Sequence, residues 1–203
     1  MEQMQLQYND AAKEKGIYIV SACGFDSIPA DLGVVFLQEK FGGVVNSVET
    51  YLRSYFKDNY KPSGAGIHYG TWESAVYGLA HANELRGIRS KLFKTRLPKF
   101  DPKLEDRSIM HKSDLVDGRW CLPFPGSDRS VVMRSQRRFF DIDNKRPVQM
   151  KAYISFDSIG HVFGVIMVSA IFALLTKFEF GRKLLLAVSI NNDLIITDIN
   201  DSF

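Results

Sequence analysis

GIYIVSACGFDSIPADLGVVFLQEKF, residues 16–41, is the stretch whose reading decides the fold. Its first part, residues 17–22, is a short apolar, β-branched run between Gly16 and Gly24. That pattern predicts a strand buried on both faces of a parallel sheet. The second part reads as a loop and a helix. Asp26 or Ser27 can cap it, Pro29 suits the first turn, and Asp31 favours the positive end of the dipole. Ile28, Leu32, Val35 and Phe36 then share one helix face. Strand, capped loop and helix make half of a βαβ unit, so the expected class is α/β. Upstream, residues 1–16 are polar with charges of both signs. They read as a helical lead-in, neither a signal peptide nor a neighbouring strand, and argue against secretion.

Downstream the texture changes after Gly42-Gly43. Val48, Thr50, Leu52, Ser54 and Phe56 alternate with Glu49, Tyr51, Arg53 and Tyr55, predicting a strand in a separate, antiparallel layer. A turn-rich loop, 57–70, leads to Thr71 as a cap, with Trp72, Ala75, Val76 and Leu79 on one helical face as far as about Phe93. Residues 94–130 hold four of the seven prolines and read as a long surface connection with a turn at 122–128. Asp128 is expected to cap a short helix, 129–139. Val148, Met150, Ala152, Ile154 and Phe156 alternate with polar neighbours, a second strand. The last fifteen residues, 189–203, carry three acids and no base and read as a divergent polar tail.

The whole chain has 203 residues, 45% hydrophobic, with 26 Lys+Arg against 23 Asp+Glu. That composition fits a folded domain and excludes a disordered or fibrous chain. Two cysteines, Cys23 and Cys121, make no disulfide framework or zinc site, so a reducing compartment is expected. His81, His111 and His161 have no ligand-spaced partners, and no metal is expected. Six bases between Arg86 and Lys99, without an acid, read as a solvated face or as a patch for anionic headgroups. Scarce aromatics there argue against nucleic acid.

The loop Gly24-Phe25-Asp26-Ser27-Ile28-Pro29 is the first candidate site, since ligands in α/β sheets sit beyond the carboxyl ends of strands. A helix N-terminus attracts phosphate, but Asp26 and Asp31 would repel it. A hydroxyl, amide or ammonium group fits better; equally, Asp26 and Ser27 serve as caps and nothing more. Gly64-Ala65-Gly66 with Gly70 lacks a preceding strand and reads as a turn, not a dinucleotide loop. His68 and Tyr69, before Thr71, stand where acid or base groups could reach a ligand.

Residues 162–175, VFGVIMVSAIFALL, are apolar on every side. Fourteen residues at about 1.5 Å each reach only about 21 Å, short of a bilayer's roughly 30 Å. A buried core helix and a segment entering a lipid surface without crossing both remain open. The second accommodates Lys177, Arg182 and Lys183 around a turn at Gly181.

Three strings carry a resemblance: residues 16–41, GIHYGTWESAVYG (66–78) and PFPGSDRSVVMRSQR (123–137). In order and spacing they are similar to the saccharopine dehydrogenase family, in its animal, lipid-droplet-associated branch. The likeness covers about residues 4–188, including the apolar block and Phe180-Gly181-Arg182. The resemblance implies an oxidoreductase with an N-terminal Rossmann domain binding NAD(P) and an inserted α+β domain. On that template residues 1–42 are the end of the Rossmann domain, and 43–157 belong to the inserted domain. Residues 158–188 are an apolar lipid-surface segment of hairpin-like form. Gly24, Phe25, Asp26, Ser27 and Pro29 are implied as cofactor-facing, in the cleft between domains. His68, Tyr69 and Thr71 are expected on the substrate side, with no general base assigned.

The Gly-rich phosphate loop has no counterpart in this chain, so the likeness is to an internal piece, about half of a family member. Dinucleotide binding is expected of the complete protein rather than of this chain alone. The implied setting is a lipid droplet, mitochondrial or other intracellular membrane, with a small or lipid-linked substrate, a link to glycolipid metabolism, and oligomers allowed. Two alternatives stand beside it: a non-catalytic lipid-surface protein anchored by residues 159–188, and a translated fragment without function.

Overall fold

The computed structural model describes residues 2–24, 26–54, 68–98 and 100–187. Phe25, the Gly64–Gly66 turn, Lys99 of the basic run and the tail 189–203 lie outside them. The chain divides into two units, Met1–Ser54 with Lys91–Val162, and Tyr55–Ser90 with Phe163–Phe203.

The first unit is built on four strands: β1 (Ser47–Leu52), β2 (His111–Ser113), β3 (Arg119–Pro123) and β4 (Gln149–Phe156), in the order β1-β4-β3-β2. β1 runs parallel to β4, with Ser47 opposite Gln149 and Leu52 opposite Ile154. β3 lies antiparallel to β4, and β2 to β3. The alternation that begins at Val48 thus marked a real strand as far as Leu52, with residues 55–56 outside the described residues, but its pairing corrects the antiparallel expectation. Alternation reports that a strand's two faces differ; it carries no information on the partner's direction. The connection read at 94–130 is corrected too, because β2 and β3 lie inside it. The first is three residues long and polar, too short for a period to show.

Three helices belong to this unit: α1 (Glu2–Glu14), α2 (Ser27–Lys40) and α5 (Asp128–Asp143). Val34 of α2 and Val132 of α5 meet Val148 and Met150 in the core, with Ala30, Val45, Val48 and Ala152 packed against them. The cap of α5 is Ser127, and the helix runs to Asn144, whose left-handed φ of 51° ends it. The expected cap at Asp128 and the stop near 139 are both corrected.

The largest departure is at residues 17–22. They form no strand: Tyr18 is 91% exposed, Ile17, Ile19 and Val20 are open as well, and Ala22 takes a positive φ of 60°. A strand apolar on both faces needs neighbours on both edges and layers on both sides. The sheet here is made by other segments. The expected face of α2 fares the same way, since Ile28, Leu32 and Phe36 are exposed while Val34 is buried.

In the second unit, α3 (Tyr69–Ala80) is followed by a 3₁₀ turn, Ala82–Glu84, and by α4 (Leu85–Leu92), whose last two residues fall in the first unit. The single helix expected to Phe93 is therefore broken at His81, whose ring pairs with Glu84 at 2.8 Å. α6 (Ile159–Thr176) leaves the first unit at Val162, and α7 covers residues 179–187. Trp72 of α3 meets Phe172 of α6 edge-on, with 4.9 Å between centroids, and donates its indole N–H to the Leu185 carbonyl of α7 at 2.8 Å. The turn between α6 and α7 is at 177–178 rather than at Gly181. Gly181 sits within α7, where a Cβ would overlap the backbone carbonyl of Leu175, so its bareness permits the close approach of the two helices.

Candidate functional site

The N-termini of α2 and α5 meet along a polar seam. Ser27 Oγ and Ser127 Oγ are 2.7 Å apart, one hundred residues distant in sequence. Below them Ser135 donates its hydroxyl to Asp31 Oδ2 at 2.7 Å. Gln38 and Gln136 then exchange amide hydrogen bonds of 2.9 and 3.3 Å. Gln136 Oε1 also accepts the Val148 N–H at 3.0 Å. Buried polar groups demand such partners, and here they interleave with Val34 and Val132.

The top of the seam is buried and carries carboxylates from both helices. Asp26 caps α2, its carboxylate accepting the Ser27 N–H at 2.8 Å. Ser127 cannot do the same for α5: its hydroxyl is turned to Ser27, and α5 has no side-chain cap. Asp128 follows, only 8% exposed, with Oδ1 buried and without a hydrogen-bond partner. Burial pushes its carboxyl above the usual range, and the nearby Asp26 charge adds to the rise. Asp31 Oδ1 is likewise buried without a partner. Gly24 is close by, because a Cβ there would lie 3.0 Å from Asp26 Oδ1. Of the expected cofactor-facing residues, Gly24, Asp26 and Ser27 lie here; Pro29 is exposed in the first turn of α2, and Phe25 is outside the described residues. The addition from α5 was not visible locally. Asp128 and Ser127 come to this place only through the packing of two helices far apart in sequence. Chemically the site is an array of acceptors suited to N–H or O–H donors.

The expected substrate-side residues lie in the second unit. His68 is the N-cap of α3, its ring nitrogen accepting the Gly70 N–H at 3.4 Å. Thr71 is inside the helix rather than at its cap, with its N–H bonded to the His68 carbonyl. The Tyr69 hydroxyl donates to Glu73 at 3.5 Å. Among the described residues no group of three or more His, Cys, Asp and Glu could hold a metal ion.

The sheet face opposite α2 and α5 is polar, and residues 101–107 strap across it. Arg107 grips Glu49 with two bonds of 3.0 and 3.1 Å, and the Tyr51 hydroxyl adds a third at 3.1 Å. Burial alone would raise the Glu49 carboxyl; the bonds from Arg107 and Tyr51, with the Arg107 and Lys151 charges, bring it below its usual range. Asp106, exposed between Lys151 and Lys103, is held low by both. Tyr51 stacks on Tyr153 at 5.2 Å, and His111 meets Tyr153 edge-on at 4.9 Å. Burial pushes the Cys121 thiol up, away from reactivity.

α6 has 18 residues and mean hydropathy 2.2, long and apolar enough to cross a membrane by length and composition, and only 11% of it is buried. Phe163, Met167, Val168, Ile171 and Leu174 are all exposed. Among the described residues α6 is largely uncovered, where a buried core helix would be covered on every side. The estimate of a short segment is corrected, because the helix starts at Ile159. Nor is Arg182 a free headgroup ligand: it donates to the Thr176 carbonyl at 2.9 Å and closes the end of α6.

Against known proteins, the human saccharopine dehydrogenase-like oxidoreductase is 38% identical over 186 residues, which make 92% of this chain and 42% of the human protein. The chain belongs to the saccharopine dehydrogenase-like oxidoreductase family. A Caenorhabditis elegans protein described as lipid droplet localized is 37% identical over 194 residues, 91% of this chain and 43% of its own length. A probable mitochondrial saccharopine dehydrogenase-like oxidoreductase of Arabidopsis thaliana is 32% identical over 210 residues, 92% of this chain and 45% of its own. The chain therefore spans less than half the length of these relatives. No protein-family model and no solved structure matches it.

Proposed function

We propose that this chain is the middle portion of an NAD(P)-dependent oxidoreductase that works at a lipid surface and is inactive alone. Family membership carries the reading. The acceptors at Asp26, Ser27 and Asp128 support it, because they fit the amide end of a nicotinamide and would repel its phosphates. Bound there, the nicotinamide would supply or take up the hydride; this chain's residues would hold and orient it. Residues 1–42 then complete a dinucleotide domain, with 17–22 as a strand paired by chain that precedes it in longer relatives. Their exposed apolar side chains, with Leu32 and Phe36, are what such a domain would cover. Residues 43–157 are the inserted domain, with His68, Tyr69 and Thr71 on the substrate side, 158–188 the lipid segment, and 189–203 a tail. A lipid-linked substrate, glycolipid among the candidates, fits that setting.

The test is a chimera in which the human relative's segment preceding the match is joined to the full chain. NADPH and NADH are titrated by nicotinamide fluorescence. Saturable binding is expected for the chimera and none for the chain alone. A folded chimera that binds neither overturns the cofactor reading.

A second reading, a non-catalytic protein anchored on lipid by residues 159–188, is favoured by α6 itself. α6 has no polar face with which to lie flat. Its 18 residues reach about 27 Å, close to a thin bilayer's hydrocarbon. Tagged chain should move to droplets or membranes, and deletion of 159–187 should release it. Unchanged targeting after deletion removes α6 as the anchor.

A further inference from the structure

We propose that the joined N-termini of α2 and α5 form one receptor for a nitrogen donor, a carboxamide or an ammonium, with Asp128 as the accepting side chain. The inference rests on the reading of the Asp26–Pro29 loop as ligand-facing and adds residues from a second helix to it.

Two independent features point to a donor. Ser27 and Ser127 lock the two helix starts together at 2.7 Å, so residues from both strings face one place. Within it, Asp128 is 8% exposed and its Oδ1 has no partner. A buried carboxylate oxygen left unpaired is costly, and native proteins pair nearly all such groups. The remainder of the seam shows that pairing is achieved elsewhere along these helices, as at Ser135–Asp31 Oδ2 and Gln38–Gln136. Of the two unpaired oxygens along the seam, Asp128 Oδ1 is the one at the top, and Asp31 Oδ1 lies at the Ser135 rung below it.

The sign of the site selects the ligand. Asp26, Asp31 and Asp128 together exclude a phosphate or carboxylate. The first-turn N–H groups of a helix have no partner within it, and α5 carries no side-chain cap. A carboxamide offers an N–H to Asp128 and a carbonyl to that helix start. An ammonium satisfies the carboxylates alone. The two chemistries come from different sources, a nicotinamide ring or an amine substrate.

The experiment is ¹⁵N NMR on the full chain with three probes: nicotinamide, nicotinate and ethylammonium. Nicotinamide or ethylammonium should shift the amides of Ser27, Ser127 and Asp128. Nicotinate, the same ring with an anion in place of the amide, should not. Asp128→Asn should weaken binding by about ten-fold or more, as loss of a charge-assisted bond does. A thermal melt checks that this variant is folded; Ser127→Ala, which breaks the bridge and keeps the carboxylate, should weaken binding by a smaller factor. A response to nicotinamide alone assigns the site to a dinucleotide, and to ethylammonium alone to an amine substrate. Silence with all probes to tens of millimolar, equal response to nicotinate, or unchanged affinity in folded Asp128→Asn overturns the inference. NADPH binding by the chimera that is indifferent to Asp128→Asn leaves the cofactor reading intact while this inference falls.

Discussion

Glu49 and Asp128 are both largely buried carboxylates in the same unit, one on the strapped sheet face and one at the helix seam. Glu49 sits in a fork of Arg107 with the Tyr51 hydroxyl beside it, and its carboxyl is held low. Asp128 has burial and the Asp26 charge around it, and its carboxyl is pushed up. One region uses its charge to pin a strap; the other carries a carboxylate with one oxygen that its own structure leaves unmatched. Burial is common to both, so it is the neighbours that decide whether a carboxylate holds the fold together or stands ready for something else.

Removing the match at Glu49 should have the largest effect. Arg107→Ala strands a carboxylate whose side chain is 13% exposed, and about 2–3 kcal/mol of stability should be lost, below the 3–5 of a fully buried pair because Arg107 is partly open. Urea unfolding measures it, and a loss under 0.5 kcal/mol would break the contrast. Gln136→Leu should cost about 2 kcal/mol, because the Val148 N–H and the Gln38 amide lose their buried partner.

The pH dependences should run in opposite directions. Glu49, lowered in the folded state, contributes stability that is present above its ordinary value and is lost as pH falls through the folded value, below about 4. Asp128, raised in the folded state, holds its proton longer than the unfolded chain does. Its share of stability therefore falls as pH rises from about 4 through its elevated value. Urea midpoints measured in pH steps should show that fall in the wild type and a flatter profile in Asp128→Asn. The smallest effect follows at neutral pH: Asp128→Asn should raise stability by about 1 kcal/mol, read as a higher Tm. A destabilised Asp128→Asn would mean that the carboxylate is matched after all.

Local signals carried much of the first unit. Asp26 and Pro29 announced the start of α2, and the alternation from Val148 to Phe156 announced β4. Neither depends on what the segment later touches. Residues 17–22 misled for the same reason: an apolar β-branched run states a need for burial without saying which chain meets it. β2 was illegible, because three residues have no readable period. At the site, Asp26 and Ser27 were visible as helix-start chemistry. Asp128 read as a simple cap, since only the Ser27–Ser127 contact, one hundred residues long in sequence, brings it beside Asp26.

The closure of α6 by Arg182 sets an order of events at the ribosome. The Thr176 carbonyl gains its donor only after six further residues have been made, and Gly181 must have arrived for the two helices to touch. Until then the end of α6 is unfinished and attractive to water. A lipid surface that took α6 would therefore have to accept the start of α7 with it, along with the Glu179–Lys183 ion pair on its outer side. On such a surface the two helices would be a single cargo.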